Sequence, residues 1–197
     1  MCVIVGFSAG QSLPFAALSN AALNNPHGFG IVSISGKKLE VFHKFDEKGN
    51  DPEVVQRELE KRAKADLRFL HLRYGTRGEK SKDMTHPFTV FNNKDSNRRI
   101  EFMHNGGLAN SWVKMDNIKS DSRQYAENYL APLLERFYGD NGRADIEDLF
   151  LADLLEKDFG YTNRGILIAN DLDPLMLGRW TTTDSIDKEK LPASNDD

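Results

Sequence analysis

Met1-Cys2-Val3-Ile4-Val5-Gly6-Phe7 opens the chain and holds its only cysteine. Val3-Ile4-Val5 is β-branched and apolar, the composition of a buried strand. If Met1 is removed, Cys2 becomes the N-terminal residue and its thiol lies beside a free α-amine. Such an amine has an unperturbed pKa of about 7.7–8.0. It accepts a thiol proton near neutral pH, so no separate histidine base is required. A strand that begins at a nucleophile holds it rigidly, as a catalytic group has to be held.

The 197 residues suit one domain with a sizeable core. The 26 basic and 30 acidic residues leave a net charge of −4, with both signs mixed along the chain. No basic stripe appears, so nucleic acid is not an expected partner. No apolar run approaches membrane-spanning length, so no membrane is expected either. The start lacks the basic and apolar regions of a signal peptide, and one cysteine cannot form an internal disulfide. Together these favour the cytoplasm. There is no zinc spacing, P-loop or dinucleotide fingerprint, so neither metal nor cofactor is expected.

Working outward from the first strand, Leu13–Asn24 reads as a core-facing helix with Pro14 early in it. Phe29–Ile34 and Leu39–Phe45 read as a hairpin across Ser35-Gly36-Lys37-Lys38. Asp51-Pro52-Glu53 is a helix start, followed by Val55, Leu59 and Ala63 on one face. Leu67–Tyr74 reads as a strand with Phe69, His71 and Arg73 on one face. A guanidinium there needs an anion or hydrogen-bond acceptors. Either an internal carboxylate pairs with it, or it grips a ligand carboxylate. Gly75–Pro87 reads as a long polar loop of the kind used as a lid.

Phe88–Asn92 and Ile100–Met103 read as strands, with His104-Asn105-Gly106-Gly107 directly after. Asn-Gly is a turn signal. It also sets a side-chain amide beside an unencumbered backbone N–H, the two donors of an oxyanion hole. Ser120 or Asp121 caps a long helix through Tyr125, Tyr129, Leu133 or Leu134, and Phe137, which Pro132 should kink or split. Asp145–Glu156 reads as a helix with Ile146, Leu149, Phe150 and Leu154 on its apolar side. Gly165–Ala169 and Leu175–Trp180 read as a late hairpin. Residues 184–197 read as a polar, acidic, mobile tail after a domain spanning 1–183.

Taken in order, Cys2, His71-Leu72-Arg73-Tyr74-Gly75-Thr76, His86-Pro87-Phe88, His104-Asn105-Gly106-Gly107-Leu108-Ala109-Asn110 and Ser120-Asp121-Ser122 resemble the class II glutamine amidotransferases. These are N-terminal-nucleophile hydrolases. The resemblance implies an α+β fold, a four-layer αββα sandwich of two antiparallel sheets. It implies that Cys2 attacks the glutamine side-chain amide, with Asn105 and Gly106 holding the oxyanion. Arg73 would bind the α-carboxylate and Asp121 the α-ammonium, with Thr76 and His86 lining the pocket. A γ-glutamyl thioester would form, ammonia would leave, and water would release glutamate.

Two positions depart from the family pattern. His27, in His27-Gly28-Phe29-Gly30, stands where an Asp is common, and Arg123 follows Ser122 where an acid is common. Neither touches the nucleophile or the oxyanion donors. No nucleotide or sugar-phosphate motif is present, so an ammonia acceptor is expected on a synthase partner subunit. Three activities fit these residues. One is a glutaminase serving such a partner. Another is a hydrolase of γ-glutamyl peptides or amides. The third is a silent binding or regulatory protein that retains Met1, because an amide-bonded Cys2 nitrogen is no base.

Overall fold

Val3–Ser8 forms strand β1, and both of its faces are buried. Val3, Val5 and Phe7 point one way, into a cluster with Leu18, Val55, Leu59, Leu70 and Leu72. Ile4 points the other way, into a cluster with Val32, Phe69, Met103, Ile166 and Ile168. A strand apolar on both sides belongs to an inner layer, because side chains alternate across it. The computed structural model describes residues 2–108, 118–139, 149–159, 162–182 and 192–193.

β2 (Phe29–Ser35), β3 (Lys38–Lys44) and β4 (Leu67–Leu72) join β1 in the order β3-β2-β4-β1. Two short strands, β9 (Thr181–Thr182) and β10 (Pro192–Ala193), extend this sheet beyond β1 in the order β1-β10-β9. The second sheet runs β5 (Phe88–Asn93), β6 (Arg98–Asn105), β7 (Arg164–Ala169) and β8 (Leu175–Gly178) in chain order. Every described pairing is antiparallel.

Helices α1 (Phe15–Asn24) and α2 (Pro52–Glu60) cover the first sheet, through Leu18, Ala22, Val55 and Leu59. Helices α3 (Asp121–Tyr125), α4 (Ala131–Tyr138) and α5 (Leu149–Phe159) cover the second. Three apolar layers thus separate four structural layers, an αββα sandwich. Each fully buried Leu, Ile or Phe in these layers contributes about 1.5–3 kcal/mol.

Most elements lie where the sequence predicts them, and the differences have local causes. Pro14 is the N-cap of α1 and not a helical residue; its extended ψ of 137° starts the helix at Phe15. Asp51 caps α2 as expected, accepting from the Glu53 amide at 2.9 Å. β6 runs two residues past Met103, so Asn105 ends a strand and the turn begins at Gly106. Ser120, not Asp121, caps α3, accepting from the Arg123 amide at 3.2 Å.

The break near Pro132 is a π-helical turn over Ala126–Leu130. Proline lacks an N–H and crowds the carbonyl four residues back, and a widened turn relieves both. Of the predicted series Tyr125, Tyr129, Leu133 or Leu134, and Phe137, Tyr125 and Leu134 are buried, and the extra residue brings Leu130 and Tyr138 into the seam in place of Tyr129 and Phe137. Tyr129, Leu133 and Phe137 are left partly buried at its side.

On α5 the buried face is Leu151, Leu155 and Phe159, with Leu154 only half-buried, and the helix runs three residues beyond Glu156. Ile146 and the predicted start of this helix lie outside the described residues, as does Asn110 of the Asn-Gly motif. In the predicted tail, Pro192–Ala193 forms β10 against β1, with Ala193 opposite Val5. That pair is sheet and not free tail; the remainder of 184–197 lies outside the described residues.

Candidate active site

The start of β1 lies beside the end of β4. Val3 pairs with Leu72, which brings Cys2 against the chain just beyond the strand. The Tyr74 amide donates to Cys2 Sγ at 3.3 Å, and Sγ lies 3.7 Å from the Tyr74 carbonyl oxygen. Burial pushes the Cys2 thiol up; the Tyr74 amide and the nearby Arg73 guanidinium pull it down, and Asp121 adds to the rise. The net effect is upward, so the resting group is a thiol.

One crevice gathers Cys2, Arg73, Thr76, His86, Gly106 and Asp121, together with Tyr74, Arg77, His104 and Ser122. It has a free volume of about 20 Å³. That admits a water molecule and little more. Asn105 is not on its wall; it sits at the end of β6, 1% exposed, with only Gly106 of the pair on the crevice. Larger clefts of about 490 and 540 Å³ lie around Lys37 and Asn170, and no nucleophilic thiol borders them.

Arg73 is 2% exposed, and neither sequence alternative describes its bonds. Nη1 donates to the Glu79 carbonyl at 2.9 Å and Nη2 to the Arg77 carbonyl at 3.1 Å. The guanidinium thus pins the loop 75–79 over the crevice. His27 helps: its Nδ1 accepts from the Gly75 amide at 2.8 Å, and its ring stands 5.3 Å from that of Tyr74. Burial holds His27 below the ordinary imidazole range, with Lys80 and Arg73 acting the same way, so Nδ1 stays free to accept.

Asp121 ties the other wall. Its Oδ2 accepts from the Leu108 amide at 2.8 Å and its Oδ1 from the Ser122 amide at 2.9 Å. Arg123, the second departure, pairs with Glu127 at 2.6 Å and lies over the Phe88 ring. It does not line the crevice.

Three buried histidines meet here, His86 and His104 on the crevice wall and His71 behind them. His71 and His86 stack with ring centres 4.1 Å apart, and His86 also meets Phe88 at 4.3 Å. His71 Nε2 lies 3.0 Å from the His104 carbonyl oxygen. Burial lowers all three, His71 to about 3, His104 to about 4 and His86 well below its usual value. They are neutral at physiological pH. Among the described residues no cluster could hold a metal ion. Sequence reading does not single out Tyr74, His104 or Asn163 as working residues. Tyr74 works through its backbone, and Asn163 comes from a distant segment with no motif around it.

No family model matches the sequence, and no curated protein matches it. Solved structures do match the fold. Glutamine phosphoribosylpyrophosphate amidotransferase from B. subtilis, complexed with ADP and GMP, aligns over 86% of this chain and 35% of its own, at 18% identity and a TM-score of 0.55. An allosteric regulatory enzyme of purine biosynthesis aligns over 86% and 36%, at 18% identity and a TM-score of 0.53. The chain therefore spans about a third of the length of these proteins. At this identity the likeness concerns the fold alone, an Ntn-hydrolase-like αββα sandwich.

Proposed function

We propose that the protein hydrolyses the side-chain amide of glutamine, or a closely related γ-glutamyl amide, with Cys2 as nucleophile. The observation that carries this reading is the crevice in which Cys2, Arg73, Gly106 and Asp121 meet. A thiol, a fixed cation, an exposed glycine amide and a carboxylate are the four groups that an amino acid with a reactive γ-carbonyl would need.

In this mechanism Met1 is removed and the α-amine of Cys2 takes the thiol proton as Sγ bonds to the amide carbon. The carbonyl electrons move onto oxygen, where the Gly106 N–H receives them, joined by the Asn105 side-chain amide once it turns from its buried place at the end of β6 towards the crevice. The protonated amine then gives its proton to the leaving nitrogen, and ammonia departs from a γ-glutamyl thioester. Water, deprotonated by the same amine, attacks the thioester and releases glutamate and the thiol. Arg73 binds the α-carboxylate and Asp121 the α-ammonium, with Thr76 and His86 on the pocket wall. Arg73 holds the Glu79 and Arg77 carbonyls, so in this reading it exchanges them for the substrate carboxylate and the loop 75–79 lifts as glutamine enters. The ammonia acceptor belongs to a partner subunit, as the resemblance to amidotransferases implies.

The deciding test is intact mass before and after incubation with a diazoketone analogue of glutamine. The expected result is loss of one methionine and a single adduct at Cys2. Met1 retained with no adduct removes the hydrolase reading in favour of a silent binding protein. Met1 lost with no adduct, alongside glutamate release from γ-glutamyl peptides, moves the substrate to the larger amides.

A further inference from the structure

Asn163 lies in the connection between α5 and β7 and is 7% exposed. Its side-chain nitrogen donates to the Phe159 carbonyl at 3.0 Å, so that end of the carboxamide is committed. Its Oδ1 faces His104 Nε2 at 3.2 Å. An oxygen only accepts, so Nε2 carries the ring proton. His104 Nδ1 is then bare and accepts from the Ser122 hydroxyl at 2.8 Å. With His71 Nε2 against its carbonyl oxygen, His104 is held at both ring edges and at its backbone.

His104 is the second residue before Gly106, and Asn163 also meets Gly106 directly. A Cβ on Gly106 would collide with the Asn163 carboxamide and would lie 3.0 Å from the Asn163 Cα. The Gly106 backbone, at φ 135°, lies flush on this residue. Capping the end of α5 needs only the nitrogens of Asn163. Its oxygen reaches across to a different element.

We propose that Asn163 is a positioning residue for the oxyanion turn. Through His104, and by packing beneath Gly106, it sets the direction of the Gly106 N–H without touching substrate. This rests on the reading of Cys2 as nucleophile and Gly106 as oxyanion donor. A donor displaced by a fraction of an ångström still binds the ground state but loses the transition state.

The test compares Asn163→Ala with Asn163→Asp, which keeps an acceptor for His104 Nε2–H. In Asn163→Ala the kcat for ammonia release falls about 10- to 100-fold, and KM stays within about threefold. Asn163→Asp recovers most of the loss. Alkylation of Cys2 by iodoacetamide forms no oxyanion and keeps its wild-type rate in both. Amide hydrogen exchange across 104–108 speeds up in Asn163→Ala and returns towards wild type in Asn163→Asp. A kcat for Asn163→Ala near wild type, a matching rise in KM, or unchanged exchange at 104–108 overturns the proposal. If Asn163→Ala does not fold, Ser122→Ala frees the opposite edge of His104 and carries the same readouts. A wild-type protein that releases no ammonia from glutamine defeats the hydrolase reading instead, and exchange at 104–108 still decides the role of Asn163.

Discussion

Cys2 is a half-buried thiol whose surroundings push its pKa up, chiefly by desolvation, despite the Tyr74 amide and Arg73 pulling the other way. Two expectations follow at this residue. Its alkylation rate in the folded protein should climb with pH through a midpoint above that of a free thiol, about 8.5; a midpoint below this in a pH series would mean that Arg73 outweighs burial. Cys2→Ala should abolish amide hydrolysis and leave binding of glutamine, measured calorimetrically, largely intact; retained turnover removes Cys2 as the nucleophile. The candidate nucleophile was legible in the sequence because position alone marks it. The bonds of Arg73 were not, because its acceptors are backbone carbonyls, and those carry no residue signature.

At the scale of elements, the loop 75–79 and the turn after β6 are the two parts that the proposed hydrolysis calls on. Arg73→Ala removes the donors to the Glu79 and Arg77 carbonyls. The expected result is weaker substrate binding by about 2–5 kcal/mol, together with faster tryptic cleavage at Arg77. Unchanged affinity with faster cleavage would make Arg73 a loop clasp and no more. Gly106→Ala places a Cβ at φ 135° against Asn163. Strain of about 1–3 kcal/mol is expected from the backbone alone. Ammonia release should fall by about 10²–10³-fold as the donor is displaced, read from kcat beside a thermal melt. An active, stable alanine variant would show that the turn tolerates a different path. Here the sequence was a partial guide. Asn105-Gly106 reads as a turn, yet β6 continues to Asn105 because His104 and Asn105 face Gly165 and Arg164 across the ladder. The π-turn before Pro132 was legible as a break and not as a seam shift, since only packing against the second sheet tells Leu134 from Leu133.

Across the whole molecule, three neutral, buried histidines gather at the crevice, His71 stacked on His86 and His104 packed against Phe102 and Phe159, and this sets an acid limit. Their folded pKa values lie below the unfolded value, with His71 at about 3, His104 at about 4 and His86 also well down, each chiefly through burial. The unfolded chain therefore binds more protons than the folded one below the ordinary imidazole value, about 6.5. The associated stability is full above that pH and is lost as pH falls towards 4 and then 3. Each histidine contributes a slope of about 1.4 kcal/mol per pH unit within its window. Urea midpoints at pH 7.5, 6 and 5 should fall progressively, while those between pH 7 and 8 stay level with respect to these groups. A midpoint unchanged at pH 5 would mean that the histidines are hydrated, not buried.

The sequence by itself determined most of the strands and helices. Val3-Ile4-Val5, Leu70 with Leu72, and the amphipathic runs of α1 and α2 follow from periods of two and about four residues, and those periods are local. It also determined which residue types could carry chemistry, since Cys2, the Arg73 strand and the Asn105-Gly106 turn are short motifs. Only the tertiary structure decided how these residues are held. Arg73 on loop carbonyls, His27 on the Gly75 amide, Asp121 on the Leu108 amide and Asn163 on His104 are contacts between segments far apart in the chain. Such contacts depend on sheet register and loop path, which arise when the two sheets close on one another, and no local pattern of residues encodes them.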